Sequence, residues 1–174
     1  MTTCHWSSVR KLRLAIVAAV SAHDVALFAH LLGVLLLVSG IVVAGVGQRL
    51  ARRSGTVAEI ATLLRVARVG VLLAAPGALV VILAGAWLVD LDGLGWHTSW
   101  LMAALALLAI SFVLGALGGR RPRHARELAE RLRDAGEAVT PELVRMLADR
   151  WSALANALSG LTMLGVLWLM VAKP

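Results

Sequence analysis

Four stretches of the chain carry no Asp, Glu, Lys or Arg: residues 25–48, 69–89, 93–119 and 151–172. Each has at least 21 residues and is apolar almost throughout. A helix needs about 20 apolar residues to cross the hydrocarbon core of a bilayer. The pattern predicts an all-α fold, a polytopic transmembrane helical bundle with about four spanning helices. Their bounds are set by the flanking charges at about 25–48, 69–89, 97–119 and 152–172.

Local signals refine this outline. Thr56-Val57-Ala58-Glu59 has the spacing of a capping box, in which hydroxyl and carboxylate each satisfy a free backbone amide. A helix therefore starts near Val57 and runs into the second span. Pro76-Gly77 sits in the middle of that span, where a missing N–H and a clash one turn back predict a kink. Asp90-Leu91-Asp92-Gly93-Leu94-Gly95 is a short acidic turn. Gly115 and Gly119 at the end of the third span are read as a helix end, with a dimer seam as the alternative. Residues 120–150 form the one sizeable polar region, with eight Arg and six Asp or Glu. Within it, 123–135 reads as a surface amphipathic helix. Thr140-Pro141-Glu142 starts another helix, with a cap, a proline at the first position and an acid in the first turn. That helix is expected to continue through Trp151 into the last span.

Composition agrees with a membrane protein. Apolar residues make up 60% of the chain and charged ones 16%, against about a quarter charged in soluble domains. The net charge of +7 invites a nucleic-acid reading. The cations, however, flank apolar spans instead of covering a soluble face, so no nucleic-acid partner is expected. The partner is the lipid bilayer, with a homo-oligomer built through small-residue faces. The basic loops 49–68 and 120–150 fall on one side of a four-span protein, and the positive-inside rule makes that side cytoplasmic. Asp24, Asp90, Asp92 and Lys173 fall on the other side, with Trp87, Trp96, Trp100 and Trp168 near that boundary. The location is then a bacterial inner membrane. The domain is residues 23–174, preceded by an extension over 1–22. Arg10, Lys11 and Arg13 in that extension break the charge rule. It reads as a signal-like segment, a half-span, or a mis-assigned start with Val20 as the true first codon; the last satisfies the charge rule best. Cys4, the one cysteine, excludes an internal disulfide and a cysteine-rich zinc site.

Candidate chemistry is sparse. The sequence has no Walker loop, HExxH, GxSxG or pair of intramembrane carboxylates, and the chain is read as non-enzymatic. His30 lies about 9 Å below Asp24 along its helix, and an ionisable group at that depth is a functional candidate. It either bonds a neighbouring helix carbonyl or Ser, ligates a metal or haem, or lines a proton or ligand path. With the orientation above, His30, Met102 and Met170 share one leaflet. That set gives a candidate cofactor-binding pair, His30 and Met102, and a candidate metal set, His30, Met102 and Met170, suited to copper(I) or to haem. His23, Asp24 and His97 make a candidate entry site above it. Asn156 is expected to bond a neighbouring helix, and Ser39, Ser111, Ser159 and Thr162 their own helix carbonyls. Arg120, Arg121 and Arg123 form the basic flank of the third span, with anionic lipid as a further partner.

Three segments, in order, carry a family resemblance. They are Asp24-Val25-Ala26-Leu27-Phe28-Ala29-His30-Leu31-Leu32-Gly33, then Pro76-Gly77-Ala78-Leu79 with Ala84-Gly85-Ala86-Trp87-Leu88, then Leu169-Met170-Val171-Ala172-Lys173-Pro174. Together they resemble the predicted integral membrane proteins of domain-of-unknown-function family 2269. The resemblance implies a four-helix bacterial inner-membrane protein with no assigned activity. More distantly, a histidine early in the first span is similar to the copper-resistance D family and to membrane protoporphyrinogen oxidases. That likeness implies a metal or haem role for His30. The function expected is a non-enzymatic membrane module, an accessory subunit or small-ligand handler. The alternatives are a haem- or copper-binding redox protein using His30, and a small-solute transporter opening at Pro76.

Overall fold

Backbone capping decides where each helix begins. A computed structural model describes residues 21–172. The basic cluster at Arg10, Lys11 and Arg13, the start proposed at Val20, and Lys173 lie outside the described residues. Ser21 and Asp24 form a reciprocal capping box that opens α1, Ala22–Ala51. Thr56 accepts from the Glu59 amide at 3.3 Å and opens α2, Val57–Leu91. Of the box predicted there, this hydroxyl bond is the half that forms. Helix α3, Ser99–Asp134, follows the acidic turn. Thr140 accepts from the Leu143 amide at 3.3 Å and, with Pro141, opens the short α4, Pro141–Leu147. Asp149 accepts from the Ser152 amide at 2.9 Å and opens α5, Arg150–Ala172. The same two bonds from Ser152, hydroxyl first and amide second, hold the Asp149 carboxyl below the ordinary carboxylate range. The all-helical fold expected from the sequence is therefore the one observed, with four helices long and apolar enough to span a membrane.

Two of the turns depend on left-handed glycines. Gly93 has φ 62° and Gly136 has φ 68°. Behind each, paired amide-to-carbonyl bonds close a Schellman motif: Leu94 to Val89 with Gly93 to Asp90, and Glu137 to Leu132 with Gly136 to Arg133. A side chain at either position would strain the turn.

Two boundaries differ from expectation. Helix α3 does not stop at Gly119 but continues through Pro122 to Asp134. Its 36 residues give it a length of about 54 Å, well beyond a hydrocarbon core of about 30 Å. The part past Gly119 is not a lone surface helix. Ala125, Ala129 and Leu132 pack with Ile60, Ala61 and Leu64 of α2 and with Leu143 of α4 in a core outside the spans. Ile60 and Leu143 are its fully buried large side chains. Arg65 and Glu130 bridge α2 to α3 at 3.0 Å over this core. Secondly, α4 does not run on into the last span. The chain breaks at 148–149, because the Asp149 side chain caps a new helix, and Arg121 holds that carboxylate at 3.0 Å. Helix α2 is one helix through Pro76, whose ring is exposed on the outer side of the bundle.

Packing divides the spans into two antiparallel hairpins. The closest-packed pair is α1 with α2, followed by α3 with α5; α2 meets α3 more sparsely. The α1 face that is buried reads Ala26, His30, Gly33, Leu37, Gly40, Ala44, Gly47, Ala51. Those positions alternate in steps of four and three, a seven-residue period that winds two helices left-handedly. Gly70 and Gly77 answer from α2 at the same period. At the centre of the seam a Cβ on Gly40 would come within 2.5 Å of the Gly70 carbonyl oxygen and 2.6 Å of the Ala74 amide. The two backbones touch there, which only glycine permits. The other faces are apolar and outward: Phe28, Leu72, Leu164, Trp168 and Val171 are all well exposed. No more than 28% of the most apolar window of any span is buried. Lipid, not protein, must cover the rest.

The seam yields a paired test. Gly40→Ala is expected to cost about 1–3 kcal/mol in denaturant titrations in mixed micelles, because backbone must move to admit the methyl. Gly45→Ala, where a Cβ meets nothing within 4 Å, is expected to be neutral or slightly stabilising. Equal effects at the two positions would refute the seam.

Candidate functional site

The small residues that hold each hairpin together leave space between the hairpins. Two cavities lie there, stacked along the bundle axis. The outer one, toward the acidic end, is about 40 Å³ and has wholly apolar walls. His30, Val34, Leu101, Ala104, Val166 and Met170 are among its lining residues. The inner one, toward the basic end, is about 340 Å³ and partly open. Gly40, Ala44, Ala74, Ala78, Gly115 and Ala116 supply much of its wall. Side chains this short cannot fill the width that the hairpins set, and the void follows. The two cavities adjoin at Leu37 and Met163, which line both.

Polar groups are gathered in the inner cavity. Gln48 of α1 and Asn156 of α5 both line it, and Asn156 Nδ2 donates to Gln48 Oε1 at 3.2 Å. This bond joins one hairpin to the other. Asn156 bonds a neighbouring helix as its position predicted. One donor–acceptor pair leaves the two amides half used. Gln48 Nε2 retains its protons, and Asn156 Oδ1 retains its lone pairs over Gly118, where a side chain would collide with it. Below them Ser111 of α3 and Ser159 of α5 donate to each other's backbone carbonyl, both at 2.9 Å. This corrects the expectation that they bond their own helices: where Gly115 stands beside Ser159, the two backbones come close enough for hydroxyls to reach across. Thr162 does bond its own helix, at the carbonyls of Leu158 and Ser159. Gly115 and Gly118 thus serve contact between α3 and α5, neither ending a helix nor forming a free seam.

The residues singled out around His30 are only partly assembled. His30 is buried, and its Nδ1 lies 3.1 Å from the Val81 carbonyl of α2. A carbonyl oxygen only accepts, so Nδ1 is the donor in this bond. Gly85 makes room for the ring, since a Cβ there would sit 3.2 Å from Cε1 and Nδ1. Met170 lines the outer cavity with His30, and so does Met163, which sequence reading passed over. Met102 does not; it is half exposed on the outer surface of α3. One helical turn separates the buried positions Leu101, Ala104 and Leu108, and Met102 falls off that stripe. His23 pairs with Asp92 at 3.2 Å and ties the start of α1 to the turn after α2. Asp24 is engaged by the Ser21 hydroxyl and amide, which lower its carboxyl from the usual range. His97 is exposed.

The fit of a cofactor follows from size and wall chemistry. A haem does not fit a 40 Å³ cavity, which holds little more than one water-sized group. Copper(I) needs imidazole nitrogen and thioether sulfur turned inward. The cavity wall is apolar throughout, so His30 presents carbon to it, not nitrogen. No group of three His, Cys, Asp or Glu side chains able to hold a metal occurs among the described residues. Neither group fits the site as packed, and no redox step is derived through one.

A family model described as a predicted integral membrane protein, DUF2269, matches residues 24–174. The chain belongs to that family. The DUF2269 match covers all four spans and the polar region between the third and fourth. No curated protein and no solved structure matches the chain. The likeness to copper-resistance D proteins and membrane protoporphyrinogen oxidases rests on the placement of His30 alone.

The role of His30 as an interhelical tie has a direct check. His30→Ala should cost about 1–2 kcal/mol through a lost hydrogen bond and a void beside Gly85. Met102→Ala, facing outward, should stay within about 0.5 kcal/mol. The same micelle titration measures both, and an unaffected His30→Ala protein would remove the tie.

Proposed function

We propose that this DUF2269 chain is a non-enzymatic module of a bacterial inner membrane that holds a small, membrane-dissolved molecule in the inner cavity between its hairpins. One observation carries the reading. In a cavity of about 340 Å³ with mostly apolar walls, two amides from different hairpins bond each other once and keep hydrogen-bonding capacity to spare. Ligand sites are concave, largely apolar and oriented by a few polar groups, and this volume lies at the small end of their range. An unused donor and acceptor in low dielectric gain more from a partner than the same groups gain in water.

The orientation belongs to the same proposal. The end that carries Arg49, Arg52, Arg53, Arg120, Arg121 and Arg123 faces the cytoplasm under the positive-inside rule, and the inner cavity lies in that leaflet. The chain has no charged side chain within a span, so a path for charged solutes has little support, and Pro76 faces away from the bundle. Homo-oligomerisation has little support from the seam glycines, which are consumed within the chain. Of the span glycines that meet nothing within 4 Å, Gly45 and Gly119 line the inner cavity, and Gly160 is left for it.

Two measurements test these points. A fatty alcohol with a diazirine beside its hydroxyl should label peptides around Ser111 and Ser159 in protein held in mild detergent. Replacing both amides, Gln48→Leu with Asn156→Leu, preserves volume and removes both halves of the bond; labelling should fall about tenfold, the equivalent of one to two hydrogen bonds. Undiminished labelling, or labelling confined to outward-facing residues, would refute the site. For orientation, with Cys4 replaced by Ser, a membrane-impermeant maleimide should modify Leu94→Cys in intact cells and spare Glu137→Cys. The reverse pattern would invert the topology.

A further inference from the structure

The two cavities differ in chemistry, and the difference runs along one axis. All the polar lining groups belong to the inner cavity, at Gln48, Asn156, Ser111 and Ser159. The outer cavity offers only hydrocarbon surface. Leu37 and Met163 stand between them, lining both and belonging to one buried cluster with Val81, Ala104, Leu108 and Val166. Nothing polar and no backbone bond closes the divide. Methionine is unbranched, has three rotatable side-chain bonds, and repacks cheaply around irregular neighbours. The barrier between the cavities is therefore two movable side chains.

Resting on the binding reading above, we infer that the ligand is an uncharged single-chain lipid, its hydrogen-bonding head at Gln48 and Asn156 and its chain threading between Leu37 and Met163 into the outer cavity. The head must both donate and accept, because one amide offers protons and the other lone pairs. It is neutral, because no charged side chain lines either cavity to pair with it. The outer cavity, at about 40 Å³, takes a chain end but no ring or second chain. The length is fixed by the helix. From Gln48 to Leu37 is about 16 Å along α1, and to Val34 about 21 Å. Half of a hydrocarbon core is about 15 Å, so a chain that spans one leaflet stops just short of the divide, and only a chain of about 20 Å passes it. A short one stays below. The Met170 and His30 carbon surfaces meet the chain end, which gives the apolar wall beneath His30 a use that ligation does not.

Photolabelling in mild detergent reads this position by position. Octadecanol with a diazirine at the chain end should label the outer-cavity residues Leu101, Ala104 and Val166. Octanol with the same terminal group should label the inner cavity alone. Met163→Trp should cut outer-cavity labelling by octadecanol about tenfold, a larger loss than it causes in head-side labelling. Met163→Phe and Leu37→Phe serve should the larger residue prevent folding, and the comparison of chain lengths needs no variant. Terminal labelling that is absent from the outer cavity, or that ignores both chain length and the bulk at Met163, would overturn the inference while head-side labelling left the binding site standing. Failure of the head-side probe as well would remove the site itself.

Discussion

The structure depends on backbone touching backbone. At Gly40 and Gly70 two helices approach so closely that no side chain separates them, and everything between the spans is positioned by that contact. In lipid there is little hydrophobic gain from joining helices, because lipid tails are as apolar as leucine. What remains is dispersion, summed over many atoms at short range. A glycine seam maximises it. The first hairpin is thus a rigid pair whose width is set by its thinnest residues.

The second hairpin is built differently, and the cavities follow from the contrast. Helices α3 and α5 are joined by reciprocal serine bonds to carbonyls, with Gly115 and Gly118 clearing the way. Two pairs of fixed and unequal geometry then meet through small side chains and leave room along their common axis. The Gln48–Asn156 bond spans that room. Void, polar end and apolar end are consequences of where each hairpin spends its small residues.

Much of the fold was legible, because hydrocarbon tolerates no formal charge and the chain writes its spans as charge-free runs. The capping residues Thr56, Thr140 and Pro141 marked helix starts correctly. The end of α3 was misread. Glycines at 115, 118 and 119 and Pro122 look like breakers, yet tertiary contact with Asn156, Ser159 and the core around Ile60 and Leu143 overrides them. The cap at Asp149 was missed because Thr140-Pro141-Glu142 had already supplied a start for the same helix. The site was less legible. The seven-residue recurrence of Gly33, Gly40 and Gly47 was available as a signal for the seam. Met163 and Met170 are seven residues apart, so spacing puts both on one face of α5. That this face turns inward, and that of Met102 on α3 turns outward, was not marked. Cavities are made of missing volume, and a sequence carries no direct mark of it.

Helix α3 belongs to two cores at once. In the membrane it forms one wall of the space between the hairpins; beyond the membrane its last turns are locked with Ile60, Leu64 and Leu143. A helix of about 54 Å without a break is a lever arm. Tilting it by a few degrees at the cavity displaces Leu132 and Arg133 by several times the shift at Gly115. The rigid helix thereby fixes the spacing between its wall in the bilayer and its core in water, so that neither end shifts without the other.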